Sequence, residues 1–245
     1  MYARPQRNKD RDKLLSGLNL RRNQNIFARQ PRRDRWLGMR RGFMRLLFLD
    51  TETTGLYPAA DRWIEVAAIE AVVSDIDVGL DVTVGWFSTL IAGALPLPVA
   101  VQSLTGIDNK SLLQAPAEHH AVTLVGAALC RVDAVVCWNA AFDRAFVHAA
   151  FARCGVAFPT VPWWCALAVS RKRRPDLRSH RLIDVAAVLG IDPGRSHRAL
   201  EDARTTLAVW RALHPIASST TGTTGSTGST EAEAEPAQGS LALFR

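Results

Sequence analysis

The sequence lacks the features of a membrane-embedded or disulfide-stabilised protein. No segment approaches the roughly 18 continuous apolar residues of a membrane-spanning helix, and the N-terminus has no apolar signal core. The four cysteines, at positions 130, 137, 154 and 165, form no Cys-x-x-Cys pair and have no histidine at zinc-ligand spacing. We therefore expect reduced, mostly buried thiols, a cytoplasmic location and no membrane partner.

Acidic residues are scarce at one end of the chain. Residues 1–45 hold 14 Lys/Arg against 3 acids, whereas residues 46–245 hold 16 Lys/Arg against 20 acids, for a formal net charge of +7. The basic arm either attracts a polyanion through phosphate contacts or is a solvated tail, and an Arg-rich start is also typical of mitochondrial transit peptides. Met39 and Met44 leave open a start codon further downstream.

With 245 residues, of which 48% are hydrophobic, the chain can bury one good core. Composition divides it into four parts. We predict a basic, disordered arm over 1–43, a globular domain over 44–215, a flexible linker over 216–239 and an apolar hexapeptide over 240–245. The linker is rich in Ser, Thr and Gly and then in Glu and Ala, so it cannot bury enough surface to fold.

The globular part is predicted to begin with three strands and to continue with strands and helices mixed. Predicted strands end at Asp50 and cover 62–73, 82–90 and 134–138, and a loop with a short helix lies around 96–107. Predicted helices cover 117–130, 140–153, 164–171, 181–189 and 198–213. This order predicts an antiparallel meander within an α/β domain that has one central mixed sheet.

The first strand stops abruptly at two acids. The apolar run Leu46–Leu49 is followed by Asp50 and Glu52, whose side chains share one face of an extended strand. Two like charges this close repel unless a cation lies between them, and oxygen ligands favour magnesium or manganese. A solvated strand end has the same pattern, so the interpretation depends on matching acids later in the chain.

Two later motifs supply such acids. In Trp138–Asp143 a strand end passes into a helix that carries Asp143, and in His197–Ala203 the histidine precedes a helix that carries Asp202. Four carboxylates could thus meet at the carboxyl ends of strands, where α/β folds bind ligands. Four acids and a histidine suit metal-assisted phosphodiester hydrolysis, with His197 accepting the proton of the attacking water. A histidine alone in a loop is more often structural.

Together these motifs closely resemble those of the DnaQ-like DEDDh family of 3′→5′ exonucleases, which includes the proofreading epsilon subunit of bacterial DNA polymerase III. The resemblance covers about residues 44–213, including the segments 61–67, 104–107 and 179–182. It implies an RNase H-like fold with a central mixed β-sheet flanked by helices. It also implies removal of nucleoside 5′-monophosphates from a 3′ end.

By position, the resemblance also implies the roles of individual residues. His197 would be the general base, and four carboxylates would hold two divalent ions, Mg²⁺ or Mn²⁺. The metal ligands would be Asp50, Glu52, Asp143 and Asp202. The pocket of the terminal nucleotide would be formed by Thr53, Gly55, Leu56, Asn139 and Phe142.

Several aromatic and basic residues have two interpretations. Many relatives have His where this chain has Trp138, which either stacks on a base or is buried in the core. The basic run 171–174 either contacts phosphates or is a solvated helix end. We expect Trp163 and Trp164 in the core, and a packing or substrate-contact role for His180.

The end of the chain resembles the pentapeptide with which bacterial replication and repair proteins bind the β sliding clamp. The preferred form is Gln-Leu-Ser/Asp-Leu-Phe, from which Ser240 departs, although Gln238 is close by. Leu241, Leu243 and Phe244 would bind the clamp. Alternatively, the hexapeptide docks back on the domain.

The sequence thus predicts a metal-dependent 3′→5′ exonuclease of the bacterial cytosol or nucleoid that acts on DNA in proofreading or repair. The sliding clamp and a DNA polymerase are the expected protein partners. Two alternatives remain open. Relatives with the same five residues degrade RNA 3′ ends, and a clamp- or polymerase-binding subunit with a vestigial site would be non-catalytic.

Overall fold

The computed structural model describes residues 43–74 and 82–214. The predicted basic arm, apart from its last residue, lies outside the described residues, and so do the linker and the hexapeptide with Leu241, Leu243 and Phe244. The proposals made for those segments therefore depend on sequence alone.

Five strands form one mixed sheet in the described part of the chain. The strands are β1 (Phe43–Thr53), β2 (Trp63–Ser74), β3 (Val82–Leu90), β4 (Ala134–Cys137) and β5 (Trp163–Cys165). Their spatial order is β3-β2-β1-β4-β5. The first three are antiparallel, as predicted for the meander, whereas β4 runs parallel to β1 and β5 runs parallel to β4.

Helices flank this sheet, which confirms the predicted α/β architecture. They are α1 (Val99–Thr105), α2 (Asn109–Leu113), α3 (Glu118–Leu129), α4 (Ala140–Arg153), α5 (Ala166–Arg173), α6 (Leu182–Val188) and α7 (Ala199–Leu213). Where one short helix was predicted near residue 100, the structure has two. Among the residues that the structure describes, no helix is long and apolar enough to cross a membrane.

One element prediction was wrong at its start. The predicted helix over 164–171 begins instead as strand β5, which pairs with β4 between Val135 and Trp163 and between Cys137 and Cys165. The helix α5 follows only at Ala166. Backbone pairing with β4 decides the conformation of residues 163–165. The periodicity of the segment itself cannot reveal this pairing.

Strand β1 lies at the centre of the core. Its residues 46, 47, 48 and 49 are each at most 1% exposed, so both faces of the strand are buried. Leu47 and Leu49 pack with α3 and α4, whereas Leu46 and Phe48 pack with α7 on the opposite face. There the rings of Phe48 and Trp210 form a T-shaped pair with 6.2 Å between their centroids. Burial on both faces explains the continuous apolar run.

This packing directs the acids at the end of β1. Asp50 and Glu52 continue the alternate positions of Leu46 and Phe48, so their side chains lie on the α7 side of the sheet. Because β4 is parallel to β1, both strands end at the same edge, and α4 begins three residues after β4. The fold therefore brings β1, α4 and the start of α7 together at one edge.

The two neighbouring tryptophans are partly buried and extend the core, as predicted. Trp164 stacks on Trp210, with ring centroids 6.1 Å apart and planes 9° from parallel. Trp163 packs on the other side of the sheet, against Phe158 at 6.2 Å between centroids. Trp164 thus holds β5 against α7, whereas Trp163 holds it against the loop that follows α4 on the opposite face.

Candidate active site

The four acids and the histidine singled out in the sequence line one cavity. It has a volume of about 820 Å³ and lies at the sheet edge where β1 and β4 end. The residues that meet there are Asp50, Glu52, Asp143, His197 and Asp202. Segments far apart in sequence thus form one acidic wall that is open to solvent.

Two of the acids are held tightly by their strand and helix. Glu52 is 8% exposed and pairs across the sheet with Glu65 of β2. Asp143, in the first turn of α4, is 3% exposed. Its Oδ1 accepts hydrogen bonds from the Thr51 backbone N–H at 3.1 Å and from the Thr51 hydroxyl at 2.9 Å. These bonds tie the start of α4 to the end of β1.

His197 occupies a constrained loop before α7. Its φ of 61° is in the left-handed region, which few non-glycine residues adopt. The backbone N–H of His197 donates to Asp202 Oδ2 at 2.9 Å, which stabilises this conformation. The exposed ring lies near Glu52 and Asp202, and potential ligand atoms of the three residues are all within 4.8 Å of one another.

Burial and mutual repulsion disfavour ionisation of these carboxyl groups. Burial raises the pKa of Asp50 well above its usual value, and the charges of Asp143 and Glu52 raise it further. Burial, followed by Asp202 and Glu65, raises the pKa of Glu52 to about 8. Burial raises the pKa of Asp143 to about 7 despite the hydrogen bonds from Thr51, and it also raises the pKa of Asp202.

Such a set of acids fits divalent cations. Clustered carboxylates that cannot all ionise on their own are stabilised in the charged form by a cation between them. All four acids offer only oxygen ligands, which hard ions such as Mg²⁺ or Mn²⁺ prefer. The donor set is therefore chemically suited to the metals that the sequence predicted.

Glu65 is a site residue that the sequence analysis did not single out. Its side chain is 2% exposed and accepts hydrogen bonds from Arg198 Nε at 3.1 Å, from Arg198 Nη2 at 2.8 Å and from the Ala199 backbone N–H at 3.1 Å. These bonds fix the first residues of α7 and hence the loop of His197. In the sequence, the sign of its importance was an acidic residue within an otherwise largely apolar strand, since a buried acid needs a partner.

The turn after β1 is held by internal hydrogen bonds. The Thr53 hydroxyl donates to the Gly55 carbonyl at 2.6 Å, and the Thr54 hydroxyl donates to Asp61 Oδ1 at 3.1 Å. A Cβ on Gly55 would lie 2.5 Å from Asp61 Oδ2, so a side chain there would displace the carboxylate that accepts the hydrogen bond of the Thr54 hydroxyl. Leu56 is 71% exposed. Thr53, Gly55 and Leu56 adjoin Glu52 but are not among the residues lining the cavity.

The other two predicted pocket residues do line the cavity. Asn139 is exposed and immediately precedes α4, where its carbonyl accepts a hydrogen bond from the Phe142 N–H at 2.9 Å. Phe142 packs on the buried ring of Phe146, with 4.9 Å between centroids. The first turn of α4 therefore presents an amide, an aromatic ring and a carboxyl group to one space.

Trp138 belongs mainly to the core. It is partly buried and packs against apolar residues of α5, α6 and α7, while its Nε1 donates to the His180 carbonyl at 3.2 Å. The His180 ring in turn lies 2.8 Å, Nδ1 to Oγ, from Ser170 of α5. Trp138 and His180 line the cavity, and their hydrogen bonds position the segment between α5 and α6 beside it.

A mixed sheet with acids from β1, α4 and α7 at its carboxyl edge is the architecture of an RNase H-like exonuclease domain. A model of the exonuclease family matches residues 47–210, and the chain belongs to this family. The resemblance to DnaQ-like exonucleases found in the motifs is thereby confirmed.

Relatives from two bacteria match the same part of the chain. The PolC-type DNA polymerase III of Bacillus cereus is 29% identical over 157 residues, which are 64% of this chain and 10% of the polymerase. The 3′-5′ exonuclease DinG of Staphylococcus saprophyticus is 28% identical over 160 residues, or 64% of this chain and 17% of DinG. The chain thus spans under a fifth of the length of these curated relatives.

Solved structures show the same fold. The zinc-bound form of E. coli exonuclease I in complex with single-stranded DNA superposes with a TM-score of 0.60 at 22% identity. The match covers 69% of this chain and 40% of exonuclease I. This similarity confirms the RNase H-like fold that the motifs implied.

The raised pKa values predict a pH-dependent stability of the metal-free protein. Folded Glu52 keeps its proton up to about pH 8, whereas the unfolded chain releases it near the ordinary value of 4.5. This contribution to the free energy of unfolding is complete below about pH 4.5 and is lost as the pH rises through about 8. In a chelator, we expect the melting temperature to fall over that range, and Glu52→Gln to reduce the fall.

Magnesium should restore the melting temperature of the wild type at about pH 8, because the ion favours the charged carboxylates. Calorimetry or dye-monitored melting across pH, with chelator and with magnesium, measures both effects. An identical pH dependence of wild type and Glu52→Gln in chelator would contradict the assignment.

Glu65→Gln tests whether this glutamate positions the His197 loop. The change removes the charge that holds Arg198, so we expect exonuclease kcat to fall about 10–100-fold with KM little changed, because small displacements of a reacting group cost this much. Steady-state kinetics below the melting temperature of each variant measures kcat and KM separately.

Glu70→Gln is the matched control for this substitution. Glu70 also lies on β2 and pairs with Arg45 at 2.8 Å and Arg131 at 3.4 Å, but it does not line the site cavity. This variant should lose stability and keep its kcat. Equal losses of kcat in both variants would assign Glu65 a structural role only.

Proposed function

We propose that the chain is a metal-dependent 3′→5′ exonuclease that releases nucleoside 5′-monophosphates from DNA 3′ ends. The observation that carries this proposal is the single cavity lined by four partly or fully buried acids and by His197. Membership of the exonuclease family supports it, as do a relative named as a 3′-5′ exonuclease and a polymerase relative.

Two divalent cations would be held by Asp50, Glu52, Asp143 and Asp202. When bound, such ions activate water and stabilise the leaving 3′ oxygen of a phosphodiester. Asp50 is central to the set, since the charges of the three other acids all raise its pKa. Asp143 would hold its ion in part through water, because one of its oxygens already accepts two hydrogen bonds from Thr51.

His197 would be the general base. Its ring is exposed at the cavity beside Glu52 and Asp202, and a neutral imidazole can accept a proton as a general base. The hydrogen bond to Asp202 and the pair of Glu65 with Arg198 fix the loop from both sides. These contacts support a position of the loop from which the ring would take the proton of the attacking water.

The terminal nucleotide would lie between the turn after β1 and the start of α4. Thr53, Gly55 and Leu56 would hold its sugar and base on one side, with exposed Leu56 against the base. Asn139 and Phe142 would line the other side. Glycine at position 55 allows close approach of the backbone, which suits recognition of a 3′ hydroxyl by main-chain groups.

DNA is the favoured substrate because the relatives and structural neighbours with named nucleic-acid functions act on or bind DNA. We propose a role in proofreading or repair with a DNA polymerase as partner, which the similarity to a DNA polymerase supports. Exonucleases that degrade RNA 3′ ends have the same four acids and histidine. The substrate assay must therefore compare DNA with RNA.

Asp50→Asn should abolish metal-dependent release of monophosphates, with a loss of at least about 100-fold, because it removes a carboxylate whose pKa the charges of the three other acids all raise and which would hold the ions with them. The assay uses matched single-stranded DNA, duplex DNA, mismatched and RNA 3′ ends with Mg²⁺ or Mn²⁺. Asp108→Asn is the control, since this exposed residue caps α2 and asparagine caps a helix equally well.

The assay separates the competing functions. Faster cleavage of RNA than of DNA would show that RNA 3′ ends, and not DNA 3′ ends, are the substrate. A purified wild type without nuclease activity in either metal would favour a non-catalytic clamp- or polymerase-binding subunit.

We also propose that the terminal hexapeptide binds the β sliding clamp. Leu241, Leu243 and Phe244 match the apolar positions of clamp-binding pentapeptides, and the preceding Ser/Thr/Gly-rich segment would act as a tether. A tether raises the effective concentration of the nuclease at DNA without fixing its orientation.

Deletion of residues 240–245 should weaken binding to the clamp at least about 10-fold, because the apolar anchors are lost. Hydrolysis of short oligonucleotides should remain unchanged. Surface plasmon resonance on immobilised clamp measures the first effect, and monophosphate release measures the second. Equal clamp affinity with and without the hexapeptide would disprove the proposal.

A further inference from the structure

The cavity is lined by basic as well as by acidic residues. Arg171, in the last turn of α5, and Arg178 and Arg181, in the segment between α5 and α6, line the same space as the four acids. The proposed metal ligands and these three cations therefore share one cavity.

The ion pairs of this region separate the arginines into two groups. Arg181 pairs with Asp184 at 2.7 Å, and Arg174, which does not line the cavity, pairs with Asp176 at 2.8 Å. Across residues 43–74 and 82–214, Arg171 and Arg178 form no ion pair, and both are exposed. Two guanidinium groups that line the cavity thus remain available for an anionic ligand.

The segment that carries Arg178 is held in place. The Trp138 indole N–H donates to the His180 carbonyl at 3.2 Å, and the Ser179 hydroxyl donates to Asp184. The Arg174 pair with Asp176 fixes the other end of the segment. A cation on an ordered rim loses less conformational entropy on binding than a cation on a free loop.

We propose that Arg171 and Arg178 form a phosphate subsite for the part of the DNA strand upstream of the scissile bond. This inference rests on the proposed exonuclease function. Hydrolysis at the acidic wall fixes one phosphate near the metal ligands, and the strand continues as a polyanion. Arginine binds phosphate oxygens with its planar set of donors. The two guanidiniums then neutralise phosphates that the carboxylates would repel.

The experiment compares two substrates that differ in upstream phosphates. Oligothymidylate has them, whereas the p-nitrophenyl ester of thymidine 5′-monophosphate has none. For Arg171→Ala and for Arg178→Ala we expect KM for oligothymidylate to rise about 3–10-fold with kcat little changed, since partly solvated charge contacts contribute modestly. Hydrolysis of the p-nitrophenyl ester should stay unchanged.

Lys172→Ala is the matched control, because this exposed cation adjoins Arg171 but does not line the cavity. It should leave both KM values unchanged. Direct binding of a short fluorescent oligothymidylate, measured by anisotropy in Ca²⁺, gives a readout that does not depend on turnover. Each arginine variant should weaken binding and reduce the salt slope of log Kd by about 0.7 for each phosphate contact that is lost.

Specific outcomes would overturn the subsite. Equal effects of Lys172→Ala would show general electrostatic attraction in place of a specific subsite. A lower melting temperature of Arg171→Ala with unchanged KM would show that Arg171 only stabilises the carboxyl end of α5. Loss of activity on both substrates would place the arginines in the chemical step. If the wild type cleaves neither substrate, the exonuclease proposal fails, and unchanged anisotropy of the variants would separately refute the subsite.

Discussion

The repulsion between carboxyl groups at the end of β1 is the constraint on which the rest of this structure depends. Burial raises the pKa of Asp50, Glu52 and Asp143, and the charge of Asp143 raises the pKa of both Asp50 and Glu52 further. Such an arrangement destabilises the fold unless protons or cations neutralise it. The surrounding elements therefore have to hold the acids in place against their mutual repulsion.

The core supplies that support. β1 is buried on both faces, so its position is fixed by α3 and α4 on one side and by α7 on the other. Thr51 ties Asp143 to the same strand, and Glu65 ties the start of α7 to the neighbouring strand. Each acid of the site thus lies within a few residues of a well-packed position. Stability of the core and geometry of the site are two results of the same packing.

The sequence predicted those parts of the site whose local pattern is strong. An apolar run ending in Asp50 and Glu52 identified a buried strand, and the order of the later motifs identified Asp143, His197 and Asp202. Long-range pairing determined what the sequence did not predict. The strand β5 exists because Trp163 pairs with Val135, and the role of Glu65 depends on Arg198, 133 residues further along. Neither partner is visible from the neighbouring sequence.

The basic run after α5 shows the same limit at the level of single side chains. From sequence, the cations at 171–174 are equivalent, and a choice between phosphate contact and solvated helix end cannot be made. The fold distinguishes them, because Arg171 lines the cavity while Arg174 pairs with Asp176. The cavity lining thus combines carboxylates, which would act on a phosphate through bound cations, with guanidiniums, which bind phosphate oxygens directly. A nucleic-acid strand carries several phosphates, so under the proposed function its scissile phosphate and its next phosphates would use different groups of the lining. This mixed charge would suit an extended nucleic-acid end better than an isolated small anion.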